Sequence, residues 1–294
     1  MSFLNYLING LSLGSVYAII ALGYTMVYGI AKMLNFAHGD IIMVGAYVVF
    51  LCMKNAGLSP IVSIIIAMIA CTILGVVIEK VAYKPLRNVS SSLAVLITAI
   101  GVSYLLQNLA LLIFGADAKS FTSVVSLKPI KLFDGQVSIT GEAVVTIINW
   151  FVIMVGISLF VNKRKAGKAI QAVSEDKGAA QLMGINVNAT ITLTFAIGSA
   201  LAAVAGALMC SAYPNLTPYS GTMPGIKAFV AAVFGGIGSI PGAMIGGLLI
   251  GVIEIIGKAY ISSQITDAIV FAILVIVLLV KPTGILGKNI QEKV

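Results

Sequence analysis

The residue types best suited to chemistry lie close together near the start of the chain. Asn35, His38 and Asp40 place an amide, an imidazole and a carboxylate within six residues. A catalytic His–Asp pair needs a nucleophile beside it, and the sequence indicates no candidate for that role. A metal site needs more ligands than this segment offers. The segment is predicted to be either a turn in which Asp40 caps the next helix, or a polar hinge that acts as a gate.

Few other residues are candidates for chemistry. The chain has a single histidine, and its cysteines (Cys52, Cys71 and Cys210) stand far apart in apolar stretches without a CxxC motif. These spacings predict no disulfide framework, no metal site and no bound cofactor. Glu254 lies within an apolar run and is therefore a functional candidate, but Lys258 follows at i+4 and favours a structural ion pair.

The composition describes the environment that must hold these residues. Of the 294 residues, 60% are apolar and 10% are charged, and the mean hydropathy is +1.09. A soluble domain carries about 25% charged residues, so a bilayer has to cover the apolar surface of this chain. These values exclude a disordered chain, a disulfide scaffold and a soluble enzyme. The net charge of +8 comes from basic residues spread over short connections, which favours a topological role over binding of nucleic acid.

Runs without charged residues predict the membrane spans. They favour helices, because a barrel would alternate apolar and polar residues over short strands. We therefore predict an all-α, polytopic transmembrane bundle of about eight to nine spans that forms one domain over residues 1–294. The runs cover residues 1–31, 41–53, 55–78, 88–116, 143–162, 178–226, 228–253 and 268–280.

Basic residues near the ends of the spans predict the orientation. They cluster in the connections 80–87 and 163–177. Placing these connections in the cytoplasm, together with Lys32 and the tail, accounts for 12 of the 18 basic residues. The N-terminus then lies outside and the C-terminus inside, so the number of spans is odd, about nine. The basic residues of the tail are Lys281, Lys288 and Lys293.

This orientation assigns the two longest connections to opposite sides of the membrane. The connection 117–141 is expected outside and carries a turn signal at Asp134–Gly135. The connection 162–188 is expected in the cytoplasm. The segment 35–40 then lies at the base of two spans, where a gate would close the inner mouth of a pathway.

A glycine-rich segment, 235–242, interrupts the next apolar region. It reads Gly235-Gly236-Ile237-Gly238-Ser239-Ile240-Pro241-Gly242 and does not match a GxGxxG nucleotide loop, because Pro241 replaces the third glycine. No Walker A motif occurs in the chain. The segment is predicted to be a cytoplasmic turn, or a break between half-helices whose free N–H groups after Pro241 and Gly242 meet a carboxylate. The glycines that follow at GxxxG spacing predict close packing, within the chain or against a second membrane subunit.

The cytoplasmic connection contains a predicted docking helix over residues 175–183. Ser174 is predicted to be its N-cap, Glu175 and Asp176 lie in its first turn, where the helix dipole favours acids, and Gly184 stops it. So short a helix is marginal in water, so lipid headgroups, the chain's own spans or a cytosolic partner must hold it. Three apolar residues share one face at i, i+3, i+4 spacing: Ala179, Leu182 and Met183.

Four segments together carry a family resemblance that covers nearly the whole chain. They are Asn-Phe-Ala-His-Gly-Asp at 35–40, Ala180 with Gly184-Ile185, the glycine-rich segment 235–242, and Lys-Pro-Thr-Gly-Ile-Leu-Gly at 281–287. With these segments the chain resembles the permease subunits of bacterial branched-chain amino acid ABC transporters, of the shorter, high-affinity type.

The resemblance implies a multi-pass, non-catalytic subunit of the bacterial plasma (inner) membrane. It would pair with a second, different permease subunit. Two cytoplasmic ATPase subunits would drive it, and an extracytoplasmic binding protein would deliver leucine, isoleucine or valine. The segment 175–185 would be the coupling helix, although no Glu directly precedes its paired alanines as it does in other importers. The implied coupling residues are Glu175, Asp176, Ala179, Ala180, Leu182, Met183, Gly184 and Ile185.

The predicted translocation or gate residues come from the two polar and glycine-rich segments. They are Asn35, His38, Asp40, Gly235, Gly236, Gly238, Pro241 and Gly242. Two alternatives stay open at this point. One is a permease for another small solute such as a simple sugar, because ribose-type permeases share the wider superfamily. The other is a self-contained secondary transporter, for which Glu254 is the candidate ion ligand. An intramembrane enzyme lacks paired catalytic residues.

Overall fold

The computed structural model describes residues 2–88, 92–132 and 137–287. The predicted turn at Asp134–Gly135 and the tail residues Lys288 and Lys293 lie outside these ranges. Within them the chain forms eleven α-helices and four very short strands. The helices are α1 Ser2–Ala31, α2 His38–Lys54, α3 Pro60–Ile78, α4 Ser92–Phe114, α5 Gly141–Lys163, α6 Lys165–Glu175, α7 Lys177–Leu182, α8 Val187–Ala212, α9 Thr222–Gly235, α10 Ile240–Tyr260 and α11 Thr266–Val280.

Six of these helices are long and apolar enough to cross a bilayer. They are α1, α4, α5, α8, α10, and α3 together with the π- and 3₁₀-helical turns that extend it to Arg87. The apolar helices α9 and α11 are shorter, with 14 and 15 residues, and α2 has 17. These three and the six make nine bundle helices among the described residues, which is roughly consistent with the predicted eight to nine spans.

One end of the bundle collects the start of α1 and the connection between α4 and α5. Asn5 of α1 accepts a hydrogen bond from the backbone N–H of Ser138 at 3.2 Å, and the N–H of Val124 donates to Ser211 Oγ at 3.1 Å. Two antiparallel strand pairs lie in the same region. They are β1 Lys119–Ser120 with β4 Asn215–Leu216, and β2 Ile130–Leu132 with β3 Val137–Ile139.

The opposite end collects the basic connections and the last described residues. Lys177 Nζ donates to the carbonyl of Ala31 at the end of α1, at 3.4 Å. The segment 281–287 pairs with the end of α9, where the N–H of Ile285 donates to Phe234 O at 3.0 Å. The first and last described segments therefore lie at opposite ends, as an odd number of spans requires.

Glycines allow the helices at the centre of the bundle to pack backbone to backbone. A side chain at Gly251 of α10 would collide with Gly14 of α1, and one at Gly247 would collide with Ala18. Gly246 faces the backbone of α9 in the same way. The glycine stripe of α10 thus serves packing inside this chain, one of the two interpretations of its GxxxG spacing.

The outer helices present apolar side chains on their outward faces. Ile61 of α3, Leu112 of α4 and Leu279 of α11 are 73%, 83% and 80% exposed. A soluble monomer rarely exposes apolar patches of this extent, whereas lipid chains cover them at no cost. The central helices α1 and α8 are instead buried along most of their length. The protein is a multi-pass membrane protein.

Candidate functional site

The second helix begins inside the bundle, because the connection before it folds back along α1. Asn35 lies near the end of α1, where its Oδ1 accepts a hydrogen bond from Tyr83 Oη at 2.9 Å. His38 lies deeper, against Gly23, where a side chain would collide with the imidazole. Gly23 precedes the end of α1 by eight residues, about 12 Å along the helix axis. The absence of a side chain at Gly23 thus makes room for the start of α2.

Asp40 does not cap α2, so that interpretation of the sequence is wrong. The N-cap is Ala37, which makes no side-chain hydrogen bond, and Asp40 lies within the first turn. Its carboxylate is 2% exposed, and Oδ1 accepts from Gln107 Nε2 of α4 at 2.9 Å. Gln107 Nε2 also lies 3.3 Å from Ser103 Oγ and 3.4 Å from Thr222 Oγ1. Asp40 therefore lies within the first turn of α2 and is held there by a residue of α4 that is far away in the chain.

This polar cluster lies halfway across the membrane. Ser103 is the central residue of α4, eleven residues from either end, or about 16 Å along the helix axis. Because the hydrocarbon core is about 30 Å thick, the cluster sits near its middle. Polar residues at that depth are costly, so they mark functional positions by default.

A cleft of about 200 Å³ opens beside the carboxylate, between α1, α2, α4 and α9. We call it the Asp40 cleft. Its floor is a close contact of two helix N-termini, since a Cβ at Gly39 of α2 would stand 2.8 Å from the carbonyl oxygen of Gly221, the N-cap of α9. The cleft is lined by Tyr24, Phe36, Gly39, Asp40, Ile100, Ser103, Tyr104, Gln107, Thr222, Gly225 and Ile226.

Five polar members of the cleft, Tyr104 among them, were not predicted from the sequence. Ser103 and Gln107 could have been predicted, because they are polar residues at i, i+4 spacing in an otherwise apolar span. Tyr24, Tyr104 and Thr222 carried no signal that distinguished them from other hydroxyl residues of the spans. Of the predicted residues, His38 packs edge-on against the Tyr24 ring, with centroids 4.7 Å apart.

The other buried acids of the described residues are paired with cations. Glu79 forms an ion pair with Arg87. Glu254 accepts from Lys258 at 2.6 Å, which confirms the predicted i, i+4 pair, and also from Lys227 at 2.8 Å and Tyr17 at 2.8 Å. Lys227 and Tyr17 come from distant segments and were missed. By contrast, no lysine or arginine of the described ranges lies within 4.0 Å of the Asp40 carboxylate.

The glycine-rich segment 235–242 forms a turn between two helices and not a break within one. α9 ends at Gly235, Gly236 and Gly238 adopt positive φ angles of 109° and 91°, and α10 begins at Ile240. Ser239 caps α10, because its Oγ accepts from the N–H of Gly242 at 3.2 Å. The half-helix interpretation is therefore wrong, since the cap uses the N–H that was expected to meet a carboxylate.

The segment lies at the same end of the bundle as Lys177, and its residues do not line the Asp40 cleft. The N–H of Leu286 donates to Gly235 O at 2.9 Å, so the last described residues cover the turn. Gly235, Gly236, Gly238, Pro241 and Gly242 stay predicted gate residues at that end.

The predicted docking helix is two helices joined at Asp176. There the backbone is extended, with φ −151° and ψ 112°, and the carboxylate accepts from the N–H groups of Gly178 at 2.8 Å and Ala179 at 2.9 Å. Asp176 is thus the N-cap of α7, and the prediction that Ser174 caps one helix from 175 is wrong. Ser174 Oγ instead donates to the carbonyl of Gln171 at 2.7 Å.

The tip of α7 projects two large apolar side chains away from the bundle. Leu182 and Met183 are 90% and 82% exposed, and Ala179 is exposed beside them. Gly184 follows with φ 81°, which confirms the predicted helix stop. The chain itself holds this short helix, because α7 packs against α6 and α8 and Ala180 is 4% exposed.

Basic residues surround the base of α7. Burial, followed by the charges of Arg87 and Lys32, holds the pKa of Lys177 below its usual value. The Lys177 ammonium lies at the end of α1, where it donates to the carbonyl of Ala31. α7 is thus linked directly to the helix from which the connection to Asp40 departs.

Comparison with known proteins assigns the family. The family model described as "Branched-chain amino acid transport system / permease component" matches residues 6–278. The high-affinity branched-chain amino acid transport system permease protein LivH of Salmonella typhimurium is 46% identical over 99% of this chain and 98% of its own. BraD of Pseudomonas aeruginosa, described in the same words, is 44% identical over the same shares. A probable LivH of Methanocaldococcus jannaschii is 30% identical over 92% of this chain and 88% of its own. The chain belongs to the family of permease components of branched-chain amino acid transport systems.

Proposed function

We propose that this chain is the membrane-spanning, non-catalytic subunit of an ABC importer for leucine, isoleucine and valine. The observation that carries the proposal is the sequence identity of 44–46% to permeases of high-affinity branched-chain amino acid transport over 98–99% of both chains.

The distribution of charge supports an orientation with the N-terminus outside. The end of the bundle that holds α7 also holds the basic connections 80–87 and 163–177. By the rule that cytoplasmic loops carry the excess of lysine and arginine, this end faces the cytoplasm of a bacterial cell. The start of α1 and the connection 117–141 then face outside, where an extracytoplasmic amino-acid-binding protein docks.

The two helices α6 and α7 are the proposed docking element for the ATPase subunits. Leu182 and Met183 stand out as adjacent apolar anchors on a polar surface, the arrangement by which a short helix enters a hydrophobic groove on a partner. Two cytoplasmic ATPase subunits would engage two such elements, one from this chain and one from a second, different permease subunit.

The contacts around α7 suggest how its motion reaches the pathway. A shift of α7 would move the end of α1 through Lys177 and Ala31. The connection that follows α1 carries Asn35 and ends at the Asp40 cleft, so the same shift would act on the Asn35–Tyr83 contact near the inner end. The turn 235–242, with the segment 281–287 over it, would form the other side of this inner gate.

The test of this proposal changes the apolar anchors. We expect Leu182→Asp with Met183→Asp to abolish co-purification of the ATPase subunits and ATP-driven leucine uptake, because a charged tip cannot enter an apolar groove. Gln181→Asp is the matched control, because it adds a charge to an exposed polar neighbour. Unchanged uptake in the double variant would contradict the coupling assignment. Leucine uptake by the purified chain alone, driven by an ion gradient, would instead establish a secondary transporter.

A further inference from the structure

Asp40 differs from every other buried acid of the described residues in having no cation beside it. Glu79 and Glu254 each accept from a basic side chain, as the cost of burying a charge demands. Asp40 is as deeply buried, yet its partners are the neutral side chains of Gln107 and Ser103. Its site therefore lacks one positive charge that the other two sites contain.

The surroundings of Asp40 hold its carboxylate in one position. Gln107 fixes one carboxylate oxygen from α4, and the N-termini of α2 and α9 converge below it without any side-chain cap. The positive ends of two helix dipoles favour a negative charge at this point. The carboxylate is thus oriented and electrostatically supported, and it lines the cleft.

The lining of the cleft combines polar and apolar groups. Ser103, Gln107 and Thr222 contribute polar side chains, and Gln107 contacts Asp40, while Phe36, Ile100 and Ile226 contribute apolar surface. At about 200 Å³ the cleft is smaller than the ~300–1,000 Å³ pockets of drug-sized ligands, so it suits one small solute. A small zwitterion with an apolar side chain has a group for each kind of lining.

We infer that the Asp40 cleft is a transient binding site of the permease itself, in which the Asp40 carboxylate takes the ammonium group of the transported amino acid. This inference rests on the proposed function. Ile100 and Ile226 contact the branched side chain, and the solute carboxylate lies towards the Thr222 hydroxyl and the start of α9. The described residues hold no group of three histidine, cysteine or acidic side chains that could bind a metal ion.

The experiment places a reporter thiol in the apolar lining of the cleft by Ile226→Cys, which leaves the polar side chains intact. Membranes that carry the whole transporter with its binding protein are treated with a small thiol reagent, and the unmodified chain gives the background from native cysteines. L-leucine is expected to slow labelling of the introduced thiol. 4-Methylpentanoate, the same skeleton without the amino group, is expected not to. Equal protection by both compounds would overturn the inference.

A second variant tests Asp40 directly in the same reporter background. Asp40→Asn keeps the size of the side chain and removes the charge. The leucine concentration for half-protection should rise about tenfold or more, the value of one charged hydrogen bond. Asp267→Asn, which removes an acid at the outer end of the bundle, is the matched control and should leave the leucine concentration for half-protection unchanged. Unchanged protection in Asp40→Asn would refute Asp40 as the ammonium-binding group. If Asp40→Asn fails to fold, the comparison of L-leucine with 4-methylpentanoate still tests the site.

The outcomes separate this inference from the proposed function. If cells with the unmodified chain take up no leucine, the proposed function fails. If they do, and Asp40→Asn takes it up with an unchanged KM, only the ammonium site fails.

Discussion

The buried ion cluster that joins α9, α10 and α11 yields a quantitative prediction for Lys227→Met. Lys227 is 6% exposed, and its ammonium lies 2.8 Å from Glu254 and 2.7 Å from Asp267. Methionine fills a similar volume but brings no charge. Glu254, which is 1% exposed, then keeps Lys258 and Tyr17 as partners.

The magnitude follows from what each partner retains. Removing one member of a buried ion pair costs about 3–5 kcal/mol, because the other charge stays buried. Lys258 still lies 2.6 Å from Glu254, and Asp267 has a side chain that is 44% exposed and returns to water. We therefore expect the lower value, about 3 kcal/mol. For a chain of this size that corresponds to a fall of about 6 °C or more in the midpoint of thermal unfolding.

The assay is thermal unfolding of the purified protein in detergent. The double variant Lys227→Met with Glu254→Gln removes both charges and should recover most of the loss, because no buried charge is left unpaired. Lys128→Met, at an exposed position of the connection before α5, is the control and should unfold with the unmodified protein. A double variant as unstable as Lys227→Met alone would show that an unpaired buried charge is not the cause of the loss.

Three further predictions concern helix packing and helix ends. Gly251→Leu should abolish folded protein, because the leucine side chain collides with α1. Gly156→Leu, on the open face of α5, should be tolerated. The yield of monodisperse protein measures both effects. Asp176→Ala should cost about 1 kcal/mol and weaken ATPase co-purification, whereas Ser174→Ala should leave both unchanged. Gly184→Ala should lower the thermal midpoint by the equivalent of about 1 kcal/mol, because alanine is strained at a φ of 81°.

The features that the sequence predicted are those set by composition and short spacing. Hydropathy and basic clusters gave a helical membrane bundle with an odd number of spans, because lipid leaves a hydrophobic chain few other structures. Gly184 as a helix stop and the Glu254–Lys258 pair also followed, since both depend on residues within one helical turn.

The errors arose where two or more local solutions compete and distant contacts choose between them. Both Ser174 and Asp176 can cap a helix, but α6 continues through Ser174 to Glu175, and the extended backbone of Asp176 makes it the N-cap of α7. The segment 235–242 suits a turn or a helix break, and its contact with 281–287 at the end of the bundle selects the turn.

The sequence by itself determined that this chain is a membrane bundle with a short helical element at its basic end, because hydropathy, charge and capping act over a few residues. Only the tertiary structure decided that Asp40 lies at mid-membrane beside a cleft. That position depends on Gly23 making room for His38 and on Gln107 reaching across from α4, contacts between residues far apart in the chain. Burial of a charge is a property of the assembled helices, and no spacing along one helix encodes it.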